Sequence, residues 1–311
     1  MGKIIGPGSL NVDLTGFAPR LPVGGETVKG TTLRLGPGGK GNNQMTAAHR
    51  AGADVRIIGR RGADALGLIL KKHYEAEGMS EEYVEISEDT ETGSALIEID
   101  EQDAQNRIIV IAAANALVGR ESVLRAERDF ADCDAVLTQF ETTYEAVLTA
   151  KELAKKYKKP FILNPAPYVD VPKSLFDGVD FVTPNETEAE LFTGCRVESI
   201  EDCRRAAAVF FDMGVKNVII TLGVRGSFYS DGKREILTPA LKVKAVETTG
   251  AGDAFNGAFA TAISDGLPIE AALKFATCTS AISVSRLGAS ASMPYRREIL
   301  ALLQKEFDIV L

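Results

Sequence analysis

One stretch of the sequence, Val246 to Gly257, restricts the fold more than any other. It joins a predicted strand, Leu241 to Val246, to a predicted helix that runs from about Ala251 to Ser264. Gly250 and Gly252 let the backbone approach a ligand closely, because glycine carries no Cβ atom. The first N–H groups of such a helix have no partner within the helix, so they form a site for an anion.

A carboxylate, Asp253, lies in the first turn of this predicted helix. If the site only held phosphate, the carboxylate would repel it. The pairing is expected where the carboxylate accepts a proton from a hydroxyl that attacks a phosphate, while the N–H groups stabilise the charge on the transferred group. The alternative is an ordinary helix start, because the helix dipole favours an acidic residue there. The rest of the sequence favours phosphoryl transfer.

Composition argues against several classes of protein. The 311 residues are 45% hydrophobic and 25% charged, which is ordinary globular usage and allows one large or two modest domains. A net charge of −8 argues against nucleic acid as a partner. The four cysteines form no Cys-x-x-Cys pair, which predicts reduced thiols. Without a signal peptide or an apolar run of about 18 residues, we expect a cytoplasmic protein that does not bind membranes.

Two stretches interrupt the strand–helix rhythm of the chain. Thr27 to Leu35 alternates polar and apolar residues, and Gly93 to Ala112 is predicted to be a hairpin with a polar turn at Glu101 to Gln105. Alternation indicates a sheet with one solvated face rather than a central parallel strand. We therefore predict a small antiparallel sheet, built from insertions at about residues 14–36 and 92–112, that covers the main domain as a lid.

A glycine-rich loop lies between these insertions and reads Gly38-Gly39-Lys40-Gly41-Asn42-Asn43-Gln44. Its lysine and amides suit hydrogen bonding to a polyol. Gly36, Gly38 and Gly41 also match Gly-x-Gly-x-x-Gly, so a dinucleotide site is an alternative. Arg60 and Arg61 would then suit a 2′-phosphate. Against this, the run before the loop is alternating and polar, whereas the dinucleotide motif follows a buried strand.

Polar side chains follow predicted strands. Asn11 and Asp13 follow the first strand, Lys3 to Leu10, and Glu141 follows the strand from Asp134 to Gln139. In an α/β sheet the carboxyl ends of parallel strands form the edge at which ligands bind. For Asn11 and Asp13, a strand-ending turn is the alternative, because both residue types are common in turns.

Two further segments allow a functional and a structural interpretation. Asn185 and Glu188 are three residues apart after a predicted strand, which suits either a helix capping box or a hydrated Mg²⁺ ion with oxygen ligands. Thr221, Gly223 and Gly226 follow an apolar strand and form either a flat shelf for a nucleotide or a plain turn. Both alternatives stay open for each segment.

With these segments in place, the chain resembles the ribokinase-like (PfkB) family of sugar kinases from Gly8 to about Pro294. Gly38 to Gln44 looks like the family's N-terminal signature, Thr249 to Phe255 like its C-terminal signature, and Asn185 to Glu188 like its Asn-x-x-Glu element. The three motifs occur in the family's order. The resemblance implies an α/β fold in which residues 1–311 form one three-layer α/β/α domain with a mostly parallel central sheet and a small antiparallel β lid.

The resemblance also implies a role for individual residues. Asp253 is expected to be the general base on the 5-hydroxyl of the sugar, with the backbone of Gly250, Ala251 and Gly252 as the anion hole. The sugar is expected at Asn11, Asp13, Gly39, Lys40, Asn43, Glu141 and Asp253. ATP is expected at Asn185, Thr221, Gly223, Gly226, Gly252 and Thr277. Mg²⁺ is expected at Asn185 and Glu188, and K⁺ or a similar monovalent cation at Glu247, Thr249, Ser283, Arg286, Gly288 and Ser292.

The expected activity is therefore ATP- and Mg²⁺-dependent phosphorylation of the 5-hydroxyl of D-ribose by a homodimer that pairs through the lid. Three features depart from the family's usual residues: Glu247 replaces an aspartate, Thr277 replaces an asparagine near the adenine, and both Asn42 and Arg61-Gly62-Ala63-Asp64 differ. Deoxyribose, fructose, a keto-deoxy sugar acid or a nucleoside is therefore an alternative acceptor. Alternatives from other classes are an NADP-dependent dehydrogenase and a non-catalytic sugar-binding protein.

Overall fold

The chain folds into alternating strands and helices, shown here by a computed structural model that describes residues 1–102 and 105–311. Within these residues the strands are β1 (Lys3–Pro7), β2 (Asn11–Ala18), β3 (Thr32–Gly38), β4 (Asp54–Gly62), β5 (Val84–Ser87), β6 (Gly93–Asp100), β7 (Asn106–Ile111), β8 (Ala135–Thr138), β9 (Phe161–Leu163), β10 (Phe181–Val182), β11 (Val218–Thr221), β12 (Ser227–Ser230) and β13 (Glu235–Thr238). The helices are α1 (Lys40–Arg50), α2 (Ala65–Glu77), α3 (Arg120–Leu124), α4 (Glu127–Asp132), α5 (Tyr144–Tyr157), α6 (Glu186–Thr193), α7 (Ile200–Asp212), α8 (Ala251–Ser264), α9 (Ile269–Ser283) and α10 (Arg296–Phe307). In this part of the chain, no helix combines the length and apolar content needed to cross a bilayer.

The large sheet has the strand order β13-β12-β11-β10-β9-β8-β1-β4-β5. The strands from β11 to β5 pair in parallel, and β12 and β13 add an antiparallel edge. Consecutive residues of β1 enter different cores: Ile4 packs in the cluster that contains Phe259 of α8, and Ile5 in the cluster that contains Phe210 of α7. Helices therefore cover both faces, and the predicted three-layer fold is confirmed.

A small sheet has the strand order β3-β2-β6-β7 and contains the two predicted insertions. Its outer pairs are antiparallel, as predicted. The inner strands β2 and β6 pair in parallel, from Asn11 opposite Gly93 to Ala18 opposite Asp100. They run in the same direction because each follows a strand of the parallel sheet, β1 or β5. The predicted polar turn between β6 and β7 includes Asp103 and Ala104, which lie outside the described residues.

The segment that leads into α8 differs from its prediction. The helix has the predicted bounds, but the strand predicted from Leu241 to Val246 is wrong, because this described segment contains no strand. Polar and apolar residues alternate in this segment as they do in a strand, but no strand lies beside it among the described residues to pair with it. The N–H groups of Val246 and Glu247 instead donate to the carbonyl oxygen of Val284 after α9, at 2.8 and 3.2 Å.

Helices α1 and α8 pack in unusually close contact at Gly257. A Cβ atom built at this glycine would lie 2.2 Å from the carbonyl oxygen of Gln44 and 2.7 Å from Cβ of Ala47. A side chain larger than hydrogen therefore does not fit between the two helices. The contact also places the N-terminal half of α1 beside the first turn of α8, which carries Asp253.

We predict that Gly257→Ala destabilises the protein, although alanine normally stabilises a helix interior. The added methyl group meets backbone, so the two helices must separate, which we expect to cost about 1–3 kcal/mol. Urea unfolding measures the change. Gly119→Ala is the control, because a Cβ atom at Gly119 would meet no atom within 4 Å. An unchanged or raised stability of Gly257→Ala, relative to this control, would contradict the packing argument.

Candidate active site

The candidate site lies at the carboxyl edge of the large sheet, beside the N-terminal ends of α1 and α8. Gln139 and Glu141 follow β8, and Asn164 follows β9. This is the edge at which parallel α/β sheets bind ligands. Asn11 and Asp13 do not end the first strand, as predicted, but open β2. The site therefore lies between the large sheet and the small sheet.

Asp253 lies in the first turn of α8, with 7% of its surface exposed. Each of its oxygens accepts one hydrogen bond from an amide of α1: Oδ2 from Asn43 Nδ2 and Oδ1 from Gln44 Nε2, both at 3.0 Å. Burial raises the pKa of Asp253, although Lys40 and the two amides act in the opposite direction. A carboxylate with a raised pKa is a stronger proton acceptor, which suits a general base.

Further buried amides hold Gln44 in place. Gln139 Nε2 donates to Gln44 Oε1 at 2.7 Å, and Gln44 Nε2 also reaches Asn164 Oδ1 at 2.9 Å. Asn164 Nδ2 donates to the carbonyl oxygen of Thr183, whose hydroxyl donates to Asn256 Oδ1 in α8 at 2.6 Å. Gln139, Asn164 and Asn256 are not among the site residues predicted from the sequence. The available indication was that a polar residue follows each buried strand.

The N-terminal end of α8 has a backbone suited to an anion. Gly250 caps the helix with φ of 80°, in the left-handed region that favours glycine. A Cβ atom at Gly252 would meet no atom within 4 Å, so the space in front of it is open. Asn256 Nδ2 donates to the carbonyl oxygen of Gly252 at 2.9 Å and fixes the first turn. The N–H group of Ala251 donates to the carbonyl oxygen of Thr248 at 3.2 Å. The N–H groups of the first turn that can face a phosphate beside Asp253 therefore begin at Gly252.

Glu141 anchors the glycine-rich loop that leads into α1. Its Oε2 accepts a hydrogen bond from Ser9 Oγ at 2.5 Å and another from the backbone N–H of Lys40 at 2.9 Å. Ser9 Oγ in turn accepts one from Gly41 N at 3.1 Å. Gly39 has φ of 86°, and a Cβ atom there would lie 3.0 Å from the carbonyl oxygen of Ser9. Ser9 is another residue of the site that is not predicted from the sequence.

Carboxylates dominate the charge of the site. Burial, followed by repulsion from Glu141 and then Asp253, raises the pKa of Asp13 to about 7. Burial also raises the pKa of Glu188. Burial opposes the charge of Lys40, but attraction to the carboxylates, Asp253 first, outweighs it and raises the pKa of this lysine. A set of acceptors around one cation suits a ligand with several hydroxyl donors.

The side chain of Asn11 is oriented by Asn115, which follows β7. Asn115 Nδ2 donates to Asn11 Oδ1 at 2.7 Å, and Asn115 Oδ1 accepts from the backbone N–H of Leu10 at 2.8 Å. Because the oxygen of Asn11 is used, its amide N–H groups are left for a ligand. Asn115 is not predicted from the sequence, because no local pattern marks it.

Asn185 and Glu188 form the predicted capping box of α6. Asn185 Oδ1 accepts from Glu188 N at 2.8 Å, and Glu188 Oε2 accepts from Asn185 N at 2.9 Å. A parallel bridge places Thr221 beside Asn185. The capping box uses the single oxygen of the Asn185 side chain, but it leaves the second carboxylate oxygen of Glu188 available for a ligand. Among the described residues, no cluster of three or more His, Cys, Asp or Glu side chains could hold a metal by itself.

The other predicted nucleotide residues lie in the turn after β11 and in α9. Gly223 and Gly226 have φ of 53° and 98°. A Cβ atom at Gly226 would lie 2.0 Å from the carbonyl oxygen of Thr238, so the turn itself requires this glycine. The Thr277 hydroxyl donates to the carbonyl oxygen of Leu273 at 2.8 Å, within its own helix. Thr277 therefore presents mainly its methyl group, which suits contact by shape.

The residues predicted to hold a monovalent cation surround the segment after α9, and they are Glu247, Thr249, Ser283, Arg286, Gly288 and Ser292. Glu247 Oε2 accepts from Gly288 N at 2.9 Å, and the hydroxyls of Ser283 and Ser292 lie 2.7 Å apart. Arg286 pairs its guanidinium with a glutamate of α10. Its carbonyl oxygen is therefore the group left for a cation. Thr249 lies between Glu247 and the first turn of α8.

The interpretation of the glycines as a dinucleotide site is wrong. Gly36 and Gly38 belong to β3, which pairs antiparallel to β2, whereas the dinucleotide motif follows a buried parallel strand. Gly41 packs directly on the backbone that follows β1. Arg60 and Arg61 are both paired with glutamates, so neither is available for a 2′-phosphate.

Known proteins resemble the chain over almost its full length. The family profile described as pfkB family carbohydrate kinase matches residues 1–296. The chain is 36% identical over 297 residues to the ribokinase of Haemophilus influenzae, covering 96% of this chain and 97% of that protein. It is 35% identical over 288 residues to the deoxyribokinase of Salmonella typhi, covering 92% and 94%. A solved structure of Arabidopsis thaliana ribokinase complexed with ribose and ATP matches with a TM-score of 0.91 at 32% identity, covering 97% and 99%.

We predict that Asp13→Asn stabilises the ligand-free protein at neutral and alkaline pH. The pKa of Asp13 is 3.8 in the unfolded chain and is raised to about 7 in the folded protein. Because the unfolded chain loses this proton first, the protein loses stability as pH rises from 3.8 through about 7. The neutral amide removes this loss, which we expect to be worth about 1–3 kcal/mol at about pH 8 and nothing near pH 4. Urea unfolding at both pH values measures it. The exposed Asp212→Asn is the control, and a gain of equal size at both pH values would contradict the charge argument.

Proposed function

The chain belongs to the pfkB family of carbohydrate kinases, and from this premise we propose that it transfers the γ-phosphoryl group of ATP to the 5-hydroxyl of D-ribose. The observation that carries the proposal is Asp253, a buried carboxylate with both oxygens held by amides at the glycine-capped mouth of α8. Relatives that are ribokinases support ribose as the acceptor.

Asp253 would act as the general base. Its carboxylate takes the proton of the sugar 5-hydroxyl, the hydroxyl oxygen forms a bond to the γ-phosphorus, and the bond from that phosphorus to the bridging oxygen of ADP breaks. The N–H groups of Gly252 and Asp253 would stabilise charge on the transferred group. The amides of Asn43 and Gln44 each occupy one lone pair of the carboxylate, so others remain for the sugar hydroxyl.

The acceptor-rich pocket would bind the remaining hydroxyls of the sugar. Asp13 and Glu141 offer carboxylate oxygens, Asn11 offers its amide N–H groups, and Lys40 offers the only cationic donor proposed there. Gly39 allows the backbone of the loop to approach the sugar. These contacts fix the 5-hydroxyl between Asp253 and the phosphate, which lowers the entropic cost of reaction.

ATP would bind along the adjacent edge, at Asn185, Thr221, Gly223, Gly226, Gly252 and Thr277. The amide N–H group of Asn185, which the capping box does not use, suits a phosphate oxygen. Glu188 retains one carboxylate oxygen, which suits a Mg²⁺ ion that keeps several waters and the phosphates of ATP as its other ligands. When bound, Mg²⁺ neutralises charge on the phosphates.

A monovalent cation of the K⁺ type would bind beside the anion hole, at Glu247, Thr249, Ser283, Arg286, Gly288 and Ser292. These residues supply a carboxylate, three hydroxyls and backbone carbonyl oxygens, which are suitable ligands for a hard cation. Glu247 already accepts from Gly288 N at 2.9 Å, so the longer side chain that replaces the family's aspartate still reaches the segment after α9.

We propose that residues 1–311 act as one kinase domain whose small sheet closes over bound sugar and excludes water. The sheet would also join two copies of the chain. Leu14 of β2 lies opposite Leu35 and Leu96, and Leu96 lies opposite Ile109, so this apolar row is on the face away from Asp13. In Ile109, 62% of the surface is exposed, and pairing would bury such side chains.

Deoxyribose is the second candidate acceptor, because the chain is also 35% identical to a deoxyribokinase. The two sugars differ by one hydroxyl. A site that hydrogen-bonds this hydroxyl would reject the deoxy sugar strongly, because its polar groups would be left unpaired, whereas a site that does not would accept both.

The test is ATP consumption with a panel of acceptors: ribose, deoxyribose, fructose, a keto-deoxy sugar acid and a nucleoside. We expect ribose to give the highest kcat/KM, with activity that is lost when Mg²⁺ is chelated and reduced when K⁺ is replaced by a large organic cation. A higher kcat/KM for another acceptor would overturn the assignment of ribose.

Asp253→Asn serves as the mechanistic control in the same assay. Loss of the general base should lower kcat by roughly 10²–10⁴-fold with a smaller effect on sugar binding. The exposed Asp212→Asn should match the unaltered protein. Near-normal turnover of Asp253→Asn would refute the role of the carboxylate.

We predict that the protein is a dimer and that Ile109→Asp converts it to a monomer, because a charge would be buried in the apolar contact. Sedimentation at micromolar concentration measures the mass. Ile108→Asp is the matched control, because the neighbouring residue lies on the opposite face of β7 and is also exposed. A monomeric parent protein, or equal effects of both substitutions, would exclude pairing through this face.

A further inference from the structure

A serine from the segment after α9 meets two neighbouring asparagines of α1 in the protein interior. Ser290 Oγ donates to Asn43 Oδ1 at 2.6 Å and accepts from Asn42 Nδ2 at 2.8 Å. Asn43 Nδ2 then donates to Asp253 Oδ2 at 3.0 Å. Asn42 and Ser290 have 0% of their surface exposed and Asn43 has 5%. Bulk water therefore does not compete for these groups.

The carboxylate fixes the direction of every hydrogen bond in this chain of contacts. An ionised carboxylate only accepts, so the N–H group of Asn43 must face Asp253 and its oxygen must face Ser290. The single hydroxyl proton of Ser290 must then point to Asn43, which leaves the serine oxygen to accept from Asn42. If the amide of Asn43 rotated by half a turn, two oxygens would face each other at the base.

The other amide that binds the base has an equivalent support. Gln44 Oε1 accepts from Gln139 Nε2 at 2.7 Å, which keeps the N–H groups of Gln44 directed to Asp253. In the same way, Ser290 donates to the side-chain oxygen of Asn43 and keeps the N–H groups of Asn43 directed to Asp253. Each oxygen of the carboxylate thus receives an amide whose own oxygen is held by a second donor.

We propose that Ser290 is a positioning residue of the kinase, which holds the Asn43 amide in the orientation that stabilises the ionised base. The proposal rests on the function proposed above. It adds a residue outside the predicted site, contributed by the short turn Ser290–Ser292, and gives a reason for the asparagine pair at Asn42 and Asn43.

Removal of the hydroxyl has a specific consequence for Asp253. In Ser290→Ala the oxygen of Asn43 and the N–H of Asn42 lose their partner while buried, and the Asn43 amide is no longer held in one orientation. A donor to a carboxylate stabilises the ionised form and lowers its pKa. A weaker donor therefore raises the pKa of Asp253, and the carboxylate is protonated at higher pH.

The first experiment is the pH dependence of kcat with ribose for Ser290→Ala. We expect kcat to fall by roughly 10–100-fold because the base is misplaced, and the acid limb of the profile to move to higher pH. Ser290→Thr keeps the hydroxyl and should restore the position of the limb. The exposed Ser285→Ala, in the same segment, should have no effect.

Asn42→Ala separates positioning from stability. It also breaks a buried hydrogen bond of Ser290, but it leaves the donor to Asn43 in place. We expect it to lower stability without moving the acid limb. If Asn42→Ala and Ser290→Ala give the same profile, or if Ser290→Ala keeps the parent profile, the proposal is wrong.

A second measurement is independent of catalysis. The stability lost in Ser290→Ala should grow as pH rises through the titration of Asp253, because only the ionised carboxylate needs the oriented donor. Other charged groups face Asp253, namely Lys40, Glu141, Asp13 and Glu188. These groups titrate in both the parent protein and the variant, so their contribution cancels in the difference in stability. The loss of stability in Asn42→Ala should not depend on pH.

The two measurements also distinguish the proposal from the function on which it rests. If no acceptor in the panel is phosphorylated, the proposed function fails, and the pH dependence of stability still decides the role of Ser290. If Ser290→Ala does not fold, Ser290→Cys fills the site with a slightly larger group and a weaker donor, and it should show a smaller shift in the same direction. A pH-independent loss of stability in either folded variant would refute the role of Ser290.

Discussion

The charge of Asp253 is the interaction on which the rest of the site depends. A carboxylate with 7% of its surface exposed is costly to ionise unless donors and a cation compensate for the lost water. Here two amides of α1 and the charge of Lys40 act against burial. The contact between α1 and α8 at Gly257, which leaves no room for a Cβ atom, keeps these donors next to Asp253. The close packing of the two helices and the ionisation of Asp253 therefore depend on the same contact.

The need to compensate the buried charge of Asp253 also explains why polar residues follow several strands of the large sheet. Through Gln44, a continuous set of hydrogen bonds behind Asp253 connects Gln139 after β8, Asn164 after β9 and Thr183 after β10. The parallel sheet brings these side chains together because the carboxyl ends of its strands lie side by side. Within the network, Gln139 Oε1 is buried without a hydrogen-bond partner among the described residues.

Features of the site that depend on nearby residues could be predicted from the sequence. The bounds of α8 and the capping box at Asn185 and Glu188 follow from signals within a few residues, and both are present. Contacts between distant segments could not be predicted. Asn43 and Ser290 are 247 residues apart, and no local pattern relates them. Leu241 to Val246 was assigned wrongly for the same reason, because a strand requires a neighbour and the neighbour here is the end of a helix.

The balance of charge also distinguishes among acceptors. Glu141 and Asp253 act on one cation, Lys40. Burial, followed by repulsion from these two carboxylates, already raises the pKa of Asp13 to about 7. A keto-deoxy sugar acid would add another negative charge to this pocket, and the cost of burying it would have no new partner to offset it. A neutral polyol instead adds hydroxyl donors, and each hydroxyl that bonds a carboxylate lowers the cost of keeping that carboxylate ionised. The electrostatics of the site therefore favour an uncharged sugar independently of any relative.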